Sequence, residues 1–88
     1  MVAFDTVWIR IEAHAGEPFR QVRGARFTYS VVNGHVVPDR TNQQIPKSAF
    51  EKALDLVPLD GPGEIQHLRG PSYVYAILAD PRISAGDW

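Results

Sequence analysis

Hydrophobic and polar residues alternate near the start of the chain, and this alternation predicts a strand over residues 6–12. Val7, Ile9 and Ile11 fall on one side of the pattern, whereas Trp8 falls on the other. A period of two is typical of a strand with one buried face. Trp8 is therefore expected to point outward, where it is either covered by a helix or forms a sticky patch.

Asn33 and Gly34 give the clearest local signal, a tight reversal between two segments rich in β-branched residues. A two-residue type I′ turn needs positive φ at both central positions, which Asn and Gly tolerate best. The turn pairs Val32 with His35, and Pro38 ends the return strand because it cannot donate to a ladder. The predicted core face of this hairpin carries Phe27, Tyr29, Val31 and Val36.

The second half of the chain changes to helical spacing. Apolar residues at positions 49, 50, 53, 54 and 57 predict a helix, and Ser48 with Glu51 fits a capping box at its start. A second helix is predicted over residues 72–79. Pro81 is expected to end it, which leaves residues 82–88 as a tail.

The order of elements, strands first and helices afterwards, predicts an α+β domain. We expect one domain over residues 1–88, with a three- to four-stranded antiparallel sheet that contains the Asn33-Gly34 hairpin and is packed on one face by two to three helices. At 88 residues the chain suffices for one domain. Its hydrophobic content of 44% is ordinary for globular proteins and argues against disorder.

The sequence contains no cysteine, which excludes disulfide bonds, zinc–thiolate sites and thiol catalysis. Secreted domains of this size usually carry disulfides, and residues 1–5 lack the basic and apolar stretches of a signal peptide. No apolar run approaches the roughly 20 residues needed to cross a bilayer. We therefore expect a cytoplasmic protein with no membrane partner.

Basic residues are concentrated in the middle of the chain, although the formal net charge is only −1. Residues 20–47 hold five basic side chains against one acidic residue, Asp39. Residues 48–88 hold three basic side chains against six acidic ones. The segment 20–47 is therefore a basic band between acidic flanks.

Arginine and amide side chains of this basic band form the candidate binding site. Arginine forks match phosphate oxygens, and Asn and Gln amides pair with base edges. The helix start near Lys47 also offers free backbone amides to an anion. The predicted site for nucleic acid or another polyanion comprises eight residues: Arg20, Arg23, Arg26, Arg40, Asn42, Gln43, Gln44 and Lys47.

A solvated surface is the competing explanation of the same arginines. Arginines on an exposed sheet face keep a small protein soluble, and Glu12 and Glu17 offer them ion-pair partners. Nucleic-acid-binding domains often have a pI above ~9, whereas the pI of this sequence is about 6.2. Charge alone leaves both interpretations open.

No constellation of residues predicts catalysis, a metal site or a cofactor. His14, His35 and His67 are widely separated and share no helix, so a metal-binding motif is lacking. Ser48 and Ser72 are explained by helix starts, and no nucleophile is paired with a base. We therefore expect a non-enzymatic binding module without a metal or cofactor.

A protein-interaction or regulatory role is the alternative function, either as a homodimer or as a small subunit of a bacterial complex. An exposed sheet edge and outward apolar side chains would carry such a role. The candidate contact residues are Trp8, Val32, Val37, Tyr75 and Trp88.

Several runs of the sequence carry a resemblance to known proteins. They are Phe27-Thr28-Tyr29 through Asn33-Gly34, Ile45-Pro46-Lys47-Ser48 through Leu54, Arg69-Gly70-Pro71-Ser72-Tyr73 through Leu78 and Asp80-Pro81-Arg82-Ile83. On these runs, and over most of its length, the chain resembles small uncharacterised proteins of high-GC actinobacteria. The resemblance implies a bacterial cytosolic protein and transfers neither an activity nor a site.

Overall fold

The computed structural model describes residues 2–88, which form four α-helices, one 3₁₀ turn and five short strands. In chain order they are α1 Phe4–Ala13, β1 Phe19–Arg20, β2 Arg26–Phe27, β3 Tyr29–Val32, β4 His35–Pro38, β5 Ile45–Pro46, α2 Lys47–Leu54, the 3₁₀ turn Pro62–Ile65, α3 Pro71–Leu78 and α4 Pro81–Ser84. The predicted α+β class is confirmed, and so is an antiparallel sheet of three strands.

The three-stranded sheet is built on the predicted hairpin. Asn33 and Gly34 adopt φ values of 50° and 76°, as a type I′ turn requires, and Val32 lies opposite His35. β4 ends at Pro38. β5, which the sequence pattern did not reveal, adds a third antiparallel strand along β4.

The inner face of this sheet belongs to the core, as expected. Tyr29 and Val36 are buried, Phe27 just before the sheet is buried too, and Val31 packs against the core at partial exposure. On the outer face Val32 is 51% exposed. The hydroxyl of Tyr29 donates a 2.6 Å hydrogen bond to the carbonyl of Ile11, which ties the sheet to the last turn of α1.

Strand pairing is interrupted at Thr28, so that residues 26–32 form two strands, β2 and β3, rather than one. Asp39 bridges the interruption: its backbone amide donates to the Thr28 carbonyl at 2.9 Å, and its carboxylate accepts from the Thr28 amide at 3.0 Å. β1 and β2 consequently form a separate two-stranded hairpin, residues 19–27, which we call the basic hairpin.

The strand predicted over residues 6–12 is wrong, because this segment lies within helix α1. Val7 and Ile11 have the spacing of a helix face as well as that of a strand, and Trp8 joins them on the helix face. Trp8 is 6% exposed with its ring 5.9 Å from that of Phe50, whereas Ile9 is 64% exposed. A helix therefore opens the chain, and the expected order of strands first and helices afterwards is also wrong.

The predicted capping box at α2 is not formed. The helix begins at Lys47, two residues earlier than a Ser48 cap would place it, and Pro46 occupies the N-cap position without a side-chain cap. Ser48 therefore lies inside the first turn, where it cannot serve as the cap. The helix itself is confirmed, with Phe50 and Ala53 fully buried.

The C-terminal segment is more ordered than the predicted tail. Pro81 follows α3, as expected, but also opens α4, and Asp80 caps the new helix by accepting from the Arg82 amide at 2.9 Å. Ile83 is fully buried, and the Trp88 indole donates a 2.8 Å hydrogen bond to the Leu78 carbonyl. Among residues 2–88 no helix has the length and apolar character that crossing a bilayer requires.

Candidate polyanion-binding site

The basic hairpin turns through a three-residue loop. The Gln21 amide donates to the Ala25 carbonyl at 2.9 Å, and the Gly24 amide donates back to the Gln21 carbonyl at 2.8 Å. Gly24 has φ = +91°, a conformation that glycine adopts without the steric cost of a Cβ. The loop thereby fixes the register in which Phe19 pairs with Phe27.

This register places aromatic side chains on the inner face of the basic hairpin and arginines on the outer face. Phe19 and Phe27 are each 2% exposed, with ring centroids 6.1 Å apart. Arg20 lies directly opposite Arg26 across the strand pair, and both are exposed. Like charges directly opposite each other destabilise a strand pair. The register fixed by the loop therefore buries the two rings on one face and places Arg20 and Arg26 at directly opposed positions on the other.

Within residues 2–88, the only arginines with a carboxylate oxygen within 4 Å are Arg10 and Arg82. The pairing with Glu12 or Glu17 that a solvated face would provide is thus not made by Arg20, Arg23 or Arg26. The charge of the basic hairpin remains available to a ligand.

A shallow hollow of about 230 Å³ lies beside the two opposed arginines. We call it the arginine hollow; its lining residues are Pro18, Phe19, Arg20, Arg26, Asp80 and Arg82. Three arginines and one carboxylate line it, so the lining carries an excess of positive charge. A phosphate or sulfate group is the class of ligand that such a lining favours.

Arg82 differs from its neighbours in the hollow because its guanidinium is fully engaged. It donates to both carboxylate oxygens of Asp80 at 2.9 Å, to Glu17 Oε1 at 3.1 Å and to the Pro18 carbonyl at 2.7 Å. The guanidinium carbon also lies 3.9 Å from the centroid of the Phe19 ring. Arg82 thus fixes the wall of the hollow and joins α4 to the start of β1.

The same contacts shift the ionisation of the groups around Arg82. Hydrogen bonds from His14 and then from Arg82 lower the pKa of Glu17, and the hydrogen bond from Arg82 lowers the pKa of Asp80. The bond to Asp80 in turn raises the pKa of Arg82. All three groups are therefore held in their charged forms.

Arg23 lies at the tip of the basic hairpin and faces a second hollow, of about 450 Å³, which we call the tip hollow. Its lining residues are Gln21, Val22, Arg23, Pro62, Gln66, Pro71 and Ser72. Gln21 Nε2 donates to Ser72 Oγ at 3.1 Å, which holds the tip against the start of α3. Val22 beside Arg23 is 64% exposed. Arg23 therefore extends the cationic surface around the turn.

The four predicted connector residues lie outside the basic hairpin: Arg40, Asn42, Gln43 and Gln44. All four of these residues are exposed. The Gln44 carbonyl accepts from Arg69 Nε at 3.1 Å, and a Cβ built on Gly70 would lie 3.3 Å from Gln43 Oε1 and 2.6 Å from Ile45. The connector is thus anchored beside Gly70, and within residues 2–88 no hydrogen bond joins it to the hairpin arginines.

Lys47, the eighth predicted residue, has different neighbours again. Its ammonium group lies 5.4 Å from the centroid of the Trp8 ring and 5.9 Å from that of Phe4, both on α1. Cation–π attraction of this kind holds the side chain against the helix. The structure therefore brings together Arg20, Arg23 and Arg26 on one hairpin, and it gives Lys47 a packing contact of its own.

Arg82 is the site residue that the sequence reasoning missed. The run Asp80-Pro81-Arg82 carries a helix-start signal, an N-cap Asp followed by a Pro at the first position. That signal locates α4 but does not show the contact with Glu17. For the alternative role in protein interaction, Trp8 is excluded as an exposed contact because it is buried in the core.

No metal-binding cluster accompanies the arginines in the part of the chain that the structure describes. Among residues 2–88 no three His, Asp or Glu side chains are grouped so as to hold a metal ion.

No family model, no curated protein and no solved structure matches this chain. The resemblance to actinobacterial proteins therefore stays a prediction, and the function is argued from the residues of the chain itself.

Proposed function

We propose that the protein is a non-catalytic binding module that captures a polyanion, such as a nucleic acid backbone, on its basic hairpin. The observation that carries the proposal is the exposed pair Arg20 and Arg26, at directly opposed positions of the two strands and with no carboxylate partner within residues 2–88. Such a pair costs stability in the free protein, and a bound anion would offset that cost.

The arrangement of the three arginines supports phosphate contacts. Arg20 and Arg26 flank the arginine hollow, and Arg23 continues the charge around the turn. A guanidinium donates through a planar fork that fits two oxygens of a phosphate or sulfate group. The three arginines are spread over both strands and the tip of the hairpin, so that together they can contact successive charges of a polymer.

Contacts to the backbone of the polymer suffice in this proposal. Asn42, Gln43 and Gln44, the predicted contacts to base edges, lie on the connector and share no hydrogen bond with the hairpin arginines. The exposed face of the hairpin offers guanidinium groups and no aromatic platform, since Phe19 and Phe27 are buried. Binding is therefore expected to be independent of nucleotide sequence. The proposal includes a cytoplasmic location, where nucleic acids are available as ligands.

The expected affinity is modest and dependent on salt. The chain has a net charge of −1, so only the local cationic surface attracts the ligand. Non-specific nucleic acid binding has Kd values of roughly 10⁻⁴–10⁻⁶ M at physiological salt, and three phosphate contacts on duplex DNA predict a slope of log K against log salt of about −3.

The test is a fluorescence anisotropy titration of a labelled DNA duplex at several salt concentrations, repeated with heparin as competitor. The variant Arg20→Glu, Arg26→Glu is expected to bind at least about tenfold more weakly at low salt, with a salt slope smaller in magnitude by about 2. Both substituted positions are exposed, so the fold is retained.

The matched control is Lys52→Glu, Arg69→Glu, which makes the same change in net charge at exposed positions that belong neither to the hairpin nor to the predicted site. It is expected to keep its affinity within about threefold. Equal losses in both variants would show that net charge alone governs binding, and no loss in either would refute a site on the hairpin.

A further inference from the structure

A groove with apolar walls lies between the start of α1, the end of α2 and the C-terminal residues. Its main part encloses about 530 Å³ and is lined by Val2, Phe4, Glu51, Leu54, Asp55, Val57, Pro58, Asp87 and Trp88. A second hollow of about 150 Å³ shares Val57, Pro58 and Trp88 with it and extends to Leu78. The two form one continuous groove, which we call the acidic groove.

The apolar walls of the acidic groove are held in place by the core. Phe4, Leu54, Val57 and Trp88 each pack against the core while part of the side chain stays exposed. The indole of Trp88 is fixed by its hydrogen bond to the Leu78 carbonyl. A preformed apolar groove of this volume is typical of binding sites rather than of ordinary surface.

The charged residues of the groove lining are all acidic. Asp87 is paired with Arg10 at 2.7 Å. Glu51 on α2 and Asp55 at its C-cap are exposed, lie one helical turn apart and have no ion-pair partner within residues 2–88. Like charges at this spacing destabilise a helix. Lys47, one turn before Glu51, is held over the rings of α1 and marks the limit of the acidic rim.

We propose that the acidic groove docks a short amphipathic helix of a partner protein that presents apolar side chains flanked by lysine or arginine. The groove accepts the apolar stripe, and Glu51 with Asp55 accepts the cationic flank. Apolar walls beside an acidic rim match the apolar and cationic faces of an amphipathic helix, and docking of an amphipathic helix into a groove is a common mode of recognition. This surface is separate from the basic hairpin, so the proposal stands or falls independently of polyanion binding.

The probe is a synthetic peptide of about 14 residues, with leucines at helical spacing and lysines between them, added to the isotope-labelled full chain. Two-dimensional NMR follows the backbone amides and the Trp88 indole. The expected result is saturable shifts at Leu54, Val57 and the Trp88 indole N–H, with no shifts at Arg20 or Arg26. Two control peptides have the same composition in scrambled order, or glutamates in place of the lysines.

The variant Glu51→Lys, Asp55→Lys is expected to weaken binding of the lysine peptide by about tenfold. The variant Glu12→Lys, Glu64→Lys makes the same change in net charge at exposed positions outside the groove lining and is expected to bind as the original chain does. Equal binding of the scrambled or acidic peptide, or shifts outside the groove, would overturn the proposal. An absence of shifts at millimolar peptide would also overturn it. Groove shifts that depend on protein concentration alone would overturn it as well, because they would assign the groove to a second copy of the chain.

Discussion

Arg82 and the opposed pair Arg20 and Arg26 line the same hollow, yet their surroundings differ completely. Arg82 donates to two carboxylates and one carbonyl and lies over the Phe19 ring. Arg20 and Arg26 are exposed and face each other. The first arrangement uses a guanidinium to join distant segments, whereas the second leaves two guanidinium groups free at a cost to stability.

The difference separates arginines that serve the fold from arginines available to a ligand. A guanidinium engaged by Asp80 and Glu17 adds little net charge to the surface, because its charge is already compensated. The uncompensated charge in the hollow therefore comes from the hairpin. Substitutions at the two kinds of position should consequently have opposite effects on the free energy of unfolding.

The largest expected effect on stability is at Arg82. Replacement by Met keeps much of the side-chain volume but removes every guanidinium hydrogen bond to Asp80, Glu17 and Pro18, while the N-cap bond from the backbone amide of residue 82 to Asp80 remains. Loss of these charge-assisted contacts should lower the free energy of unfolding by about 2 kcal/mol. Urea denaturation followed by circular dichroism measures it. An unchanged midpoint for Arg82→Met would show that Arg82 is no more structural than the hairpin arginines.

Acid should weaken the same contacts. The pKa values of Glu17 and Asp80 lie below their ordinary values of 4.5 and 3.8, so the unfolded chain takes up protons at a higher pH than the native protein. Their contribution is complete above about pH 4.5 and is lost as the pH falls through the lowered native values. The unfolding free energy should therefore decrease with acidification in this window.

The variant Glu17→Gln, Asp80→Asn tests this origin of acid sensitivity, and Asn still serves as an N-cap for α4. Its stability should be lower at neutral pH and should vary less between pH 5 and the acid range. The comparison uses urea midpoints of both proteins at matched pH values. A variant as acid-sensitive as the original chain would assign the effect to other carboxylates.

A smaller effect of opposite sign is expected on the basic hairpin. Arg26→Glu places a carboxylate directly opposite Arg20 and converts a repulsive cross-strand pair into an attractive one. The free energy of unfolding should rise by about 0.5 kcal/mol. The control Arg23→Glu, at the tip, has no cross-strand partner and should change stability less. A loss of stability in Arg26→Glu would contradict repulsion between the two arginines.

The parts of the fold set by local chemistry were predictable from the sequence. The Asn33-Gly34 turn fixed the register of β3 and β4 because few other residues tolerate its backbone angles. The strand predicted over residues 6–12 was wrong because the spacing of Val7 and Ile11 fits the period of a strand as well as that of a helix. Only the packing of Trp8 on Phe50, a contact between distant segments, distinguishes the two.

The candidate site was predictable in its charge but not in its geometry. The basic band located Arg20, Arg23 and Arg26. The strand pairing that sets Arg20 against Arg26 depends on the burial of Phe19 and Phe27, which local sequence does not show. Arg82 could not be assigned because its partner Glu17 is 65 residues away in the chain.

The central claim is that Arg20 and Arg26 are retained for a ligand at the expense of stability. The variant Arg20→Thr, Arg26→Thr tests it most directly, because threonine favours strands and carries no charge. Urea denaturation and DNA anisotropy are measured on the same sample. The account predicts an equal or higher free energy of unfolding together with a clear loss of DNA affinity. A destabilised variant, or one that binds DNA as tightly as the original chain, would contradict it.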